Sequence, residues 1–92
     1  MNNKHLLERM AKVADLSTEP IPGRPLIEIV SDTSVLIENH CGVISYSLEC
    51  IVVKTKQGCI VVNGAQMVLT RMSREQLKIS GRIHGVELRR RR

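Results

Sequence analysis

Between Leu26 and Leu88 the chain repeats short apolar runs: Leu26–Val30, Val35–Glu38, Val43–Ser47, Cys50–Thr55, Cys59–Val62, Gln66–Arg71, Gln76–Ile79 and Arg82–Leu88. Turn-forming residues punctuate them at Asp32, at Asn39 with Gly42, and at Gln57-Gly58, Asn63-Gly64, Ser73 and Ser80-Gly81. Short runs at this spacing predict strands joined by tight connections. Alternation strengthens the reading. Ile51, Val53 and Thr55 fall on one face of a strand, with Val52, Lys54 and Lys56 on the other; Ile60 and Val62 share a face, as do Leu77 and Ile79. No interval has room for a crossover helix, so the sheet is expected to be mostly antiparallel. The predicted class is all-β: a meander, a small sandwich or a barrel. Asn63-Gly64 is a hairpin candidate because both residues tolerate positive φ. Ser73 to Gln76 suits either a turn or one capped helical turn.

Upstream the period changes. Leu6, Leu7, Met10, Val13 and Ala14 recur at three- and four-residue intervals, while Lys4, Glu8, Arg9 and Lys12 fall on the opposite side. This predicts a short N-terminal amphipathic helix over residues 3–16, capped by Asn2 or Asn3. Ser17 to Pro25 holds three prolines and a glycine and reads as an extended linker. The expected organisation is therefore a helix and linker over 1–25, a β domain over 26–88 and a basic tail over 89–92. Ninety-two residues leave room for one core only.

Composition adds two constraints. Tyr46 is the only aromatic residue, so Ile, Val, Leu and Met must fill the core. The net charge is +5, but removing Arg89, Arg90, Arg91 and Arg92 from fourteen basic residues leaves ten against nine acidic ones. The body is nearly neutral and the basicity is terminal, which weakens the case for a nucleic-acid-binding face on the domain itself. The arginine run is a candidate contact for an anionic surface, membrane or nucleic acid. Single-stranded nucleic-acid binders add aromatic stacking platforms, which Tyr46 alone does not provide.

Catalytic chemistry finds little support. Cys41, Cys50 and Cys59 lie nine residues apart without a closely spaced pair, which argues against structural zinc and for small buried hydrophobes on successive strands. Adjacent His40 and Cys41 are badly placed for proton transfer on a strand. The carboxylates are scattered, and no glycine cluster precedes a helix. We expect no enzyme, no metal and no cofactor. Three cysteines and a charged N-terminus without an apolar leader fit a reduced, cytoplasmic setting.

The segment Ile37-Glu38-Asn39-His40-Cys41-Gly42-Val43-Ile44-Ser45-Tyr46 resembles the YabP/YqfC family of sporulation proteins, and the YqfC branch in particular. Further matches follow in register at Thr55–Gly58, Ile60–Gly64, Val68-Leu69 and Ser80-Gly81-Arg82-Ile83, so the likeness spans about residues 26–88. Cys41 departs from the basic residue often found there, and the four terminal arginines are no family hallmark. The resemblance implies a non-enzymatic factor of endospore formation in the mother cell, associated with the forespore surface or membrane. Its implied partner is a YqfD-like membrane protein or a spore-coat component. Glu38, Asn39, His40, Gly42, Tyr46, Gly81 and Arg82 become candidate family-motif or partner-contact residues. Asn39 and Gly42 suit a tight turn, with His40 exposed at its tip or bonded back to it. Exposed edges on so small a sheet also suggest a homodimer, and the arginines suggest peripheral membrane contact. The competing expectation is a small β-barrel that binds nucleic acid through Arg89–Arg92.

Overall fold

The computed structural model describes residues 24–91. The predicted helix over 3–16 and most of the linker lie outside the described residues. Six strands follow: β1 (Leu26–Val30), β2 (Ser34–Glu38), β3 (Val43–Tyr46), β4 (Cys50–Lys54), β5 (Gly58–Met72) and β6 (Gln76–Arg90). They form one open antiparallel sheet in the order β1-β2-β6-β5-β4-β3. The expected all-β class holds, and the described residues contain no helix.

The predicted hairpin at Asn63-Gly64 is not formed. Four predicted runs merge into two fifteen-residue strands, with Asn63-Gly64 inside β5 and Ser80-Gly81 inside β6. Both pairs mark a bend rather than a turn. The β5–β6 ladder runs from Gly58 opposite Arg90 to Met72 opposite Leu77, and its register shifts at Asn63/Gly64, between Ala65 and Val68, and again at Leu69/Arg71. Bulges of this kind add twist and curvature to a strand. A Cβ on Gly64 would stand 2.1 Å from the Arg82 carbonyl oxygen. Gly81 has φ +147°, and its Cβ would stand 2.7 Å from the Gln66 carbonyl oxygen. Glycine serves here for close backbone approach, which local sequence does not distinguish from a turn.

The bend gives the sheet two halves with the same pairing scheme. In one, the β1–β2 hairpin lies against the first part of β6, with Ser34 opposite Ser80 and Glu38 opposite Gln76. In the other, the β3–β4 hairpin lies against the first part of β5, with Cys50 opposite Asn63 and Lys54 opposite Cys59. The hairpin turns dock at the bend in matching ways. Gly81 and Ile83 N–H groups donate to the carbonyls of Thr33 and Asp32; Gly64 and Met67 N–H groups donate to those of Glu49 and Leu48.

Both halves turn their apolar positions to one core. Val35 and Ile37 of β2, Ile51 and Val53 of β4, Ile60 and Val62 of β5, and Leu77 and Ile79 of β6 are buried in one cluster, with Met67 and Ile83 beside the bend. Alternation therefore read the inward positions of β4, β5 and β6 correctly. Full burial of an Ile or Leu side chain stabilises by about 2 kcal/mol, so an aliphatic core compensates for the missing aromatics by number. Ser73 organises the β5–β6 connection as a turn: its Oγ accepts from the Gln76 and Glu75 N–H groups, and no helical turn forms.

Candidate functional site

Each half of the sheet has a point where the chain entering its outer strand meets the far end of a long strand. Near β3 this point is closed. Asn39 adopts φ 63° and Gly42 φ 115°, as the turn reading required. The Asn39 N–H donates to the Glu75 carbonyl (2.8 Å), and its side-chain amide donates to the Arg24 carbonyl (3.1 Å). Gln76 donates from its side chain to the Glu38 carboxylate at 3.1 Å.

His40 completes the closure. Its Nδ1 accepts from the Gly42 N–H at 2.9 Å, and its Nε2 lies 2.8 Å from the Ser73 carbonyl oxygen. A ring nitrogen that accepts from an amide carries no proton, so the proton sits on Nε2 and donates to Ser73. His40 thus bonds back to its own turn, as one of the expected placements had it, and also pins that turn to the end of β5. Glu38, Asn39, His40 and Gly42 act together as a clasp between the β2–β3 and β5–β6 connections. Only the His40 and Asn39 turn was legible; the Ser73, Glu75 and Gln76 half lies more than thirty residues away in the chain.

The other candidates lie elsewhere. Tyr46 is 48% exposed on the edge strand β3, near exposed Ile44 and Leu48. Gly81 and Arg82 belong to the bend, on β6, and Arg82 is exposed. The structure does not bring these three to the clasp as one cluster.

Near β1 the equivalent point is open. A shallow cleft is lined by Arg24, Pro25, Thr55, Gln57, Cys59, Ile60, Leu88, Arg89 and Arg90, and a neighbouring depression by Arg24, Lys56, Gln57, Arg90 and Arg91. Neither holds a carboxylate among its described lining residues. The arginine run is not wholly a tail, because β6 continues through Arg90. Arg89 pairs with Glu87 at 3.1 Å; that hydrogen bond first, and the carboxylate charge second, hold its guanidinium above the ordinary arginine range. Sequence reasoning missed Arg24 and Lys56 because only the strand order unites them with Arg90.

The three cysteines are free. Cys50 and Cys59 are half-buried on β4 and β5, whereas Cys41 is exposed in the loop before β3. The expectation of buried side chains on successive strands therefore holds for the strand placement of two of the three, and none of them is fully buried. Among the described residues no group of His, Cys, Asp and Glu could hold a metal ion, and no helix is long and apolar enough to cross a membrane.

A single antiparallel sheet, folded over an aliphatic core and clasped at one end, defines a small all-β domain. The YabP family model matches residues 23–92, and the chain belongs to that family. This membership suggests a sporulation-associated protein; the match does not distinguish the YqfC branch within the family. No curated protein and no solved structure matches the chain.

Proposed function

We propose that this protein is a non-enzymatic interaction factor of endospore formation, acting in the mother cell beside a YqfD-like membrane protein or a spore-coat component. The observation that carries the reading is the use made of the Glu38–Gly42 segment. Its one candidate base, the His40 imidazole, has both nitrogens engaged by the protein's own backbone. A catalytic base needs a free acceptor within reach of substrate. The segment instead sets the position of β3, whose outer edge carries the exposed Ile44 and Tyr46. An unpaired edge with apolar side chains is a docking surface for another protein.

The test is the yield of heat-resistant spores from a deletion strain of the source organism. It is complemented with the full chain, with Ile44→Lys/Tyr46→Lys, and with His40→Ala. Rescue by the full chain but not by the folded edge variant supports docking through β3. Full rescue by the edge variant assigns the role to another surface, and normal spore yield in the deletion strain overturns the sporulation role.

A further inference from the structure

We propose that the open basic end of the sheet is a docking surface for an anionic phospholipid membrane. Three stretches of chain converge there: Arg24 before β1, Lys56 in the β4–β5 turn, and Arg89, Arg90 and Arg91 at the end of β6. Lys54 extends the cluster, standing in the cross-strand row with Cys59 and Arg89. The neighbouring carboxylate, Glu87, is already engaged by Arg89. So many like charges gathered by the fold, with no further counter-charge lining the cleft among the described residues, favour an anionic partner.

Two observations favour lipid over other anions. Leu88 is 64% exposed and lines the cleft with Pro25, among the cations rather than apart from them. Cations beside an exposed apolar side chain suit the headgroup and acyl boundary of a bilayer. Nucleic acid is disfavoured by the absence of a stacking ring here: Tyr46 lies on β3, not in the cleft. The surface is distinct from the β3 edge, so the two proposals fail separately.

The experiment is flotation of the full chain with vesicles of phosphatidylcholine alone or with roughly one-third phosphatidylglycerol, the latter an anionic content of the kind the surface requires. The expected result is at least a tenfold preference for the anionic vesicles, lost in high salt. Arg24→Glu/Arg90→Glu should remove at least about tenfold of that partition, since each basic residue near a charged bilayer contributes measurably. Arg74→Glu/Lys78→Glu, with the same charge change near the β5–β6 turn, should stay within about twofold of the parent. Circular dichroism confirms that each variant is folded. Equal binding to neutral vesicles, or equal loss in both double variants, would overturn the proposal. So would tighter binding of a single-stranded oligonucleotide or an acidic peptide at the same salt.

Discussion

The two ends of this sheet share a pairing scheme and differ in what the chain places at the closing point. Before β3 stands His40, and opposite it lies the carbonyl of Ser73; the contact is a hydrogen bond. Before β1 stands Arg24; its carbonyl is held by Asn39 of the clasp, yet it also lines a cleft with Arg90 and Arg91, and there like charges meet and the point stays open. One strand geometry thus yields a polar clasp where the chain enters β3 and a cationic cleft where it enters β1, with Arg24 touching both. The backbone fixes where two chain segments meet, and the side chains there decide whether the meeting stabilises the fold or faces outward.

The largest expected effect removes the frame on which the comparison rests. Gly81→Val forces a branched side chain into φ +147° and against the Gln66 backbone. The cost should be about 4 kcal/mol or more, comparable with the whole stability of so small a domain. Loss of the cooperative melt by circular dichroism is the expected readout. Next, the two halves should depend equally on the shared core. Ile37→Ala and Ile51→Ala each empty a fully buried position, one per half. Each should cost about 3 kcal/mol in urea denaturation. A difference much above about 1 kcal/mol, which exceeds the ordinary context scatter of such sites, would show that one half dominates the fold.

The clasp itself is a smaller matter. His40→Ala should lower stability by about 1–2 kcal/mol through two lost hydrogen bonds and an unpaired carbonyl. Arg24→Ala at the open end should stay within about 0.5 kcal/mol. If the two cost the same, the ends are not different in kind. Smallest of all, Arg89→Ala should leave the melting temperature unmoved, because its pairing with Glu87 is at the surface.

How much of this could be read beforehand depends on the distance over which each feature is specified. The inward positions of β4, β5 and β6 were legible because alternation is local. The Asn39 turn was legible for the same reason. Asn63-Gly64 misled because a glycine needed for close approach to Arg82 has the same sequence signature as one needed for a turn. The β2–β6 pairing, the Ser73 half of the clasp and the gathering of Arg24 with Arg90 are set by strand order. No window of neighbouring residues encodes that order.

That order also governs the sequence of events as the chain is made. β3, β4 and the first part of β5 are consecutive in sequence, so their ladder closes once residue 63 is available. The β1–β2 hairpin pairs only with residues 76–80 of β6. During synthesis it must wait for some forty further residues, with Val35 and Ile37 uncovered until they arrive. The half that is translated first is therefore the half that folds last, and in that interval a chaperone has its clearest target.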